Sequence, residues 1–245
     1  MQKDRWIMKD SRILSGESFF EKKGKVYGVG TGPGDPELMT LKAVRVIRES
    51  TVIAAAGKEI EKSKAYQIAK EAVPEIEGKT KLSLSMPMTS NPEMLRKAHE
   101  EAVRLMQTFL DQGISVAYIT LGDPTIYCTF SYLQKILEKE GYEVELISGV
   151  PSFCAAAARL GISLAEKEEE LHIIPAVYGL EEKLEYPGRH VLMKSAGRIQ
   201  EVKALLQNSG RQVMAVENCG MAGEAVYHSA DEIPEDAGYF TIIIA

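Results

Sequence analysis

Three short glycine turns carry the residues of this chain best placed to do chemistry: Gly28-Val29-Gly30-Thr31-Gly32-Pro33-Gly34-Asp35-Pro36, Gly122-Asp123-Pro124 and Gly149-Val150-Pro151-Ser152. Each follows an apolar run and precedes a segment of helical period. Glycine reaches φ > 0 and lets a ligand approach the backbone closely. Asp35 and Asp123 are suited to capping the helices that follow, and Pro36 suits a first helical position, where no N–H is needed. Such corners turn helix N–H groups outward with partial positive charge, and in open α/β sheets ligands gather at that edge. One such turn is ordinary structure; three of them, two with an Asp cap, point to a binding edge.

The same residues exclude several chemistries. A Rossmann fingerprint needs glycine where this chain has Pro33, and no Walker A lysine is present because Gly34 is followed by Asp35-Pro36. There is no G-x-S-x-G elbow, and Ser152 follows a proline with no base in sight. His99, His172, His190 and His228 show no zinc spacing, and no metal site is expected. Cys128, Cys154 and Cys219 form no C-x-x-C and read as buried thiols in a reducing compartment. A net charge of −6 argues against nucleic acid as the main partner while leaving room for a local basic pocket. No apolar run approaches the ~20 residues of a membrane span, and residues 1–24 lack a signal-peptide core. A cytoplasmic protein without a membrane or nucleic-acid partner is expected.

The elements that must position these turns alternate strand and helix. Strands are expected at 25–30, 51–56, 82–86, 114–121 and 144–147, and later near 171–176, 190–194, 211–217 and 239–244. Between them lie helices. The first starts at Glu37 with Leu38, Leu41, Val44 (or Ala43) and Ile47 on one face. Another runs near 65–73 until Pro74 stops it, and a third begins at Asn91-Pro92 with the stripe Leu95, Ala98, Ala102, Leu105 and Phe109. Ile126, Phe130, Leu133 and Leu137 mark the helix after Gly122-Asp123-Pro124, alanines 155–158 the next, and 199–208 the last. This alternation predicts an α/β fold of two α/β domains with mostly parallel sheets. Residues 1–23 read as an N-terminal extension, 24–122 as the first domain and 123–245 as the second.

The run from Val26 through Gly28-Val29-Gly30-Thr31-Gly32-Pro33-Gly34-Asp35-Pro36 to Ala43 resembles the opening signature of the tetrapyrrole methylases. Thr120-Leu121-Gly122-Asp123-Pro124-Thr125-Ile126-Tyr127 resembles that family's second signature, and Ser148-Gly149-Val150-Pro151-Ser152-Phe153 its third. Met86-Pro87-Met88-Thr89, Thr129–Leu133, Ser152–Gly161, Glu217–Gly220 and Tyr239-Phe240-Thr241 are similar to the branch that methylates C20 of precorrin-2 or cobalt-factor II in cobalamin biosynthesis. Two features depart from the pattern: residues 1–23 have no counterpart, and Ala54-Ala55-Ala56-Gly57 lacks the proline or aromatic residue expected at the second strand's end.

The resemblance implies a homodimeric C-methyltransferase with S-adenosyl-L-methionine in the cleft between its two domains and a tetrapyrrole as small-molecule substrate. It implies cofactor contacts from Leu121, Gly122, Asp123 and Ile126, from Pro151 and Ser152, and from Ala176 and Met193. Pro33 and Asp35 would face the meeting point of cofactor and tetrapyrrole. Asp123 or Asp35, or a water held by one of them, would accept the proton lost from the methylated carbon. Lys194, Arg198 and Arg189 are candidates for the substrate's carboxylates. Met86-Pro87-Met88 is a candidate to pack on the macrocycle. The alternatives are methylation at another ring carbon, or on a non-tetrapyrrole substrate, and a module that binds without turnover.

Overall fold

A computed structural model describes residues 23–176 and 179–245, so all of the expected extension but Lys23 lies outside the described residues. The first sheet comprises β1 (Val26–Gly30), β2 (Val52–Ala56), β3 (Thr80–Leu84), β4 (Val116–Thr120) and β5 (Val144–Ile147). Its order is β3-β2-β4-β1-β5, with every neighbouring pair parallel. Four helices cover it: α1 (Leu41–Glu49), α2 (Lys64–Ala72), α3 (Pro92–Leu110) and α4 (Phe130–Lys139). Successive residues of a strand face opposite sides. Ile53, Ala55, Ala117 and Ile119 therefore pack under α1 and α2, while Val52, Ala54, Val116 and Tyr118 pack under α3 and α4. Burial on both faces is why these strands read as unbroken apolar runs.

The strand order decides the site. Corner one follows β1, corner two follows β4 and corner three follows β5. Because β4, β1 and β5 are consecutive in the sheet, corners far apart in sequence emerge side by side at one edge.

The second sheet holds β6 (Leu171–Pro175), β7 (Arg189–Met193), β8 (Met214–Glu217), β9 (Ala225–Tyr227) and β10 (Thr241–Ile244), in the order β6-β7-β10-β8-β9. Here α5 (Ser152–Leu160) covers one face, and α6 (Leu180–Leu184) with α7 (Ile199–Asn208) covers the other. Only β6 and β7 pair in parallel; β10 runs antiparallel to β7 and β8, and β9 to β8. The expectation of mostly parallel sheets thus holds for the first sheet and not for the second. From β8 onward the strands are joined by loops without a crossover helix, and such connections favour antiparallel pairing. The chain passes from one sheet to the other after β5, later than the division expected at 122–123.

Other differences have local causes. Asp35 caps only a single 3₁₀ turn, Pro36–Leu38, and Thr40 opens α1 afresh. The helical phase is thereby reset: Ala43, Val46 and Ile47 are buried, and Leu41 is 90% exposed. The buried face of α3 is His99, Ala102, Val103, Met106 and Leu110, turned from the expected stripe. β3 lies two residues earlier than its apolar run implied, and β9 and α6 had no clear period. Cys154, expected among buried thiols, is exposed, whereas Cys128 is half-buried and Cys219 buried. No helix among the described residues is long and apolar enough to cross a membrane.

His190 on β7 is fully buried, with Nε2 2.9 Å from the Lys183 carbonyl oxygen and its ring stacked on His172 at 4.9 Å. The carbonyl can only accept, so Nε2 carries the hydrogen. Burial, with the Arg211 charge nearby, holds the imidazole pKa below its ordinary value. The unfolded chain protonates near pH ~6.5 while the folded chain resists, so this contribution to stability is complete above that pH and is lost as pH falls through it. The melting temperature is expected to drop between about pH 7 and 5, and to drop less in His190→Gln, as measured by calorimetry across that range.

Candidate active site

Corners one and two are stitched together main chain to main chain, and corner three packs against both. Gly32 N–H donates to Gly122 O at 3.2 Å, and Gly122 N–H returns a bond to Gly32 O at 2.7 Å. The Thr31 amide and hydroxyl both donate to the Thr120 carbonyl, at 2.9 and 3.1 Å. A Cβ on Gly30 would stand 2.5 Å from Gly122 O, and one on Gly149 would overlap that same oxygen. No side chain fits between these strand ends, so glycine is required there by space rather than by φ.

Asp123 is the polar bolt through this assembly. The residue is buried, at 8% exposed. One carboxylate oxygen accepts from the Thr125 amide at 2.8 Å and from the Thr125 hydroxyl; the other accepts from the Gly149 amide at 2.9 Å. Asp123 was expected to cap a helix, but α4 does not begin until Phe130. Residues 121–129 instead form an irregular loop whose first turn Asp123 holds against corner three.

Corner one also meets the second sheet. A Cβ on Gly34 would overlap the Cys219 carbonyl, and one on Gly220 (φ 72°) would stand 2.6 Å from the Asp35 nitrogen. The turn between β8 and β9 therefore lies flat against Gly34-Asp35. Glu224 braces it, accepting from the Gly220 amide at 2.8 Å and pairing with Arg159 on α5. That amide and the guanidinium hold the Glu224 carboxyl below its usual pKa.

Between these walls lies a cavity of about 440 Å³, within the range of small-ligand sites. Of the residues expected there, Pro33, Leu121, Gly122, Asp123 and Ile126 line it from the first three strand ends. Pro151, Ser152 and Met193 line it from the side of the second sheet. Two residues are not brought in. Ala176 is buried in the second core, its N–H donating to Met193 O at 2.7 Å. Asp35 is not among the lining residues; its side chain accepts from the Glu37 amide at 2.8 Å. Of the basic candidates only Lys194 reaches the cavity, since Arg189 lies near Glu169 and Arg198 pairs with Glu201. Met88 is 94% exposed and outside the lining.

Sequence reasoning missed the floor and the second cation. Tyr118, buried on β4, forms part of the floor, and burial pushes its phenol pKa up. Cys128 packs beside it, its thiol 3.3 Å from the Thr120 hydroxyl. Lys64, at the start of α2, lines the wall opposite Lys194. A period argument places Tyr118 in a core but cannot say that the core opens onto a cavity. Lys64 has no signal beyond being charged. Ala55 and Ala56 also line the cavity, so where a proline or aromatic residue was expected the wall is made of small side chains.

The lining suits an adenosyl sulfonium cofactor: Gly122, at φ 71°, leaves main chain uncovered at the cavity wall, and Pro33, Leu121 and Ile126 offer apolar contact. Fold and crevice together define a two-sheet α/β protein that receives a ligand at the carboxyl ends of parallel strands. The chain belongs to the Tetrapyrrole (Corrin/Porphyrin) Methylases, which it matches over residues 25–233. It is 39% identical, over 75% of its own length and 77% of the relative's, to a Methanocaldococcus jannaschii protein named "Probable cobalt-precorrin-2 C(20)-methyltransferase". It is 29% identical to the cobalt-precorrin-2 C(20)-methyltransferase of Salmonella typhimurium, covering 90% of this chain and 95% of that protein. The uroporphyrin-III C-methyl transferase of Thermus thermophilus, solved with S-adenyl homocysteine, superposes with a TM-score of 0.67 at 22% identity, covering 91% and 97% of the two chains. At that identity the likeness concerns the fold.

Two outcomes follow for binding of S-adenosylhomocysteine, read by titration calorimetry. Asp123→Ala removes a charged acceptor from Gly149 and should weaken binding by roughly ten- to a hundredfold, while Cys154→Ala should leave it near wild type. Equal affinities in the two variants would contradict this placement of the site. Gly34→Ala should push the β8–β9 turn off corner one and weaken binding by about tenfold or more, with the melting temperature measured alongside to separate local from global loss.

Proposed function

We propose that this chain is an S-adenosylmethionine-dependent C-methyltransferase that methylates C20 of precorrin-2 or of its cobalt form in cobalamin biosynthesis. The observation that carries the reading is one cavity bounded by all three glycine corners, with an apolar floor and a basic residue on each side. The relatives' names support the choice of carbon and favour the cobalt-carrying substrate. A cytoplasmic homodimer is part of the same reading, on the family resemblance.

When bound, S-adenosylmethionine supplies a methyl group already activated as an electrophile. The chain's own task is alignment, and oriented binding can lower a barrier by roughly 7–11 kcal/mol. In this reading Leu121, Gly122 and Ile126 hold one side of the cofactor and Pro151, Ser152 and Met193 the other, with Pro33 at the junction with the macrocycle. Tyr239 and Phe240, packed edge to face at 5.4 Å, wall the cavity on the second-sheet side and help exclude water. Both oxygens of Asp123 already accept hydrogen bonds, and Asp35 caps a turn outside the cavity lining. Both are therefore assigned to holding the backbone rather than to accepting the substrate's proton.

Incubation with labelled S-adenosylmethionine, supplying metal-free and cobalt-bearing substrate in parallel, tests the reading. Mass spectrometry should show one methyl gained by at least one substrate, with the label at C20 by carbon NMR. Label at another carbon would favour the alternative of a methylase with different regiochemistry. Cofactor binding with no transfer to either substrate would favour a binding module.

A further inference from the structure

We infer that Lys64 and Lys194 form a two-sided cationic rim that selects a flat ligand bearing acidic side chains at its edge; this rests on the proposed function and names how the substrate is chosen. The chain as a whole is acidic, at −6, yet the ionisable charges among the described lining residues are Lys64, Lys194 and the fully engaged Asp123. Lys64 stands on the first-sheet side at the start of α2, and Lys194 on the second-sheet side just after β7. Among the described residues neither ammonium pairs with a carboxylate, although most other exposed Lys and Arg on the helices do, as in Arg45–Glu49, Lys97–Glu93 and Lys70–Glu77. The local field at the cavity mouth is thus positive where the total is negative.

The backbone supplies an independent sign. Lys194 and Tyr127 are both non-glycine residues in the left-handed region, at φ 59° and 48°. They lie 67 positions apart in sequence and touch each other: the Lys194 ammonium is 3.4 Å from the Tyr127 carbonyl and 5.4 Å from the centre of its ring. The Tyr127 hydroxyl donates in turn to the Ile173 carbonyl on β6 at 3.0 Å, so the loop after β4 is fastened across the crevice to the second sheet. Side chains in this conformation cost backbone energy that glycine would not. A lysine kept there, over an aromatic face and against one carbonyl, has its charge set at the cavity rather than released to solvent. The carboxylates of a macrocycle would complete the donor set that the protein leaves open on both sides.

The test titrates an eight-carboxylate porphyrin, and a tetracationic porphyrin as counter-probe, into protein saturated with S-adenosylhomocysteine at low and high salt. Wild type should bind the first probe, with an affinity that falls as salt rises, and discriminate against the second by more than about tenfold. Lys64→Ala and Lys194→Ala should each weaken the anionic probe by about tenfold and flatten the salt dependence, with binding of S-adenosylhomocysteine retained; Lys194→Arg should restore most of the affinity. Lys194→Gly relieves the backbone and should melt no lower than wild type while losing the same affinity, an outcome a purely structural lysine would not produce. If wild type binds the anionic probe and the lysine variants bind it equally well, the rim is wrong and the function stands. Should wild type bind the cofactor product but neither porphyrin, the functional reading itself fails, and the rim with it.

Discussion

Everything at the site depends on a steric constraint: the ends of β4, β1 and β5 approach so closely that Gly30, at the end of β1, and Gly149, two residues past β5, have no room for a side chain. Gly30 and Gly149 both stand against the Gly122 carbonyl, and Gly32 and Gly122 exchange two main-chain hydrogen bonds. This contact has no side chains in it, so it is short, dry and rigid. It also leaves peptide groups turned toward the crevice, where a ligand can meet main chain directly. Asp123 turns the contact into a fixed arrangement by spending both carboxylate oxygens on the loops either side of it.

The second sheet closes the crevice by the same means. Gly34 and Gly220 let the first corner and the β8–β9 turn lie backbone on backbone, and Glu224 ties that turn to α5, whose first residue, Ser152, borders the cavity. The two halves are thus linked through the ligand-facing surfaces themselves. A change in either turn is felt by the cofactor pocket without altering any residue that touches a ligand.

Charge is arranged on a finer scale than composition reports. An acidic chain carries a cavity lined by two lysines that no carboxylate among the described residues pairs, and its acidic surplus lies elsewhere. Exposed ion pairs contribute little to stability. A small number of unpaired cations beside an apolar cavity can dominate recognition of an anionic ligand, because water is excluded there and the interaction is less screened.

The sequence by itself determined what depends on neighbours along the chain. The apolar runs of the first sheet, the Asn91-Pro92 helix start, and the glycine corners as places where backbone must be bare all follow from local steric and capping rules. The three signatures likewise marked seven residues, Pro33, Leu121, Gly122, Asp123, Ile126, Pro151 and Ser152, that the structure brings to one cavity. What only the tertiary structure decided depends on contacts between distant segments. The order β4-β1-β5 puts the corners together, and β8 to β10 turn antiparallel. Ala176 faces a core and not the crevice, and Asp123 serves Gly149 in place of a helix. Lys64 and Lys194 become opposite walls of one site. Periodicity records which face of an element is apolar; it does not record which element lies across from it, and every one of these features is a statement about what lies across.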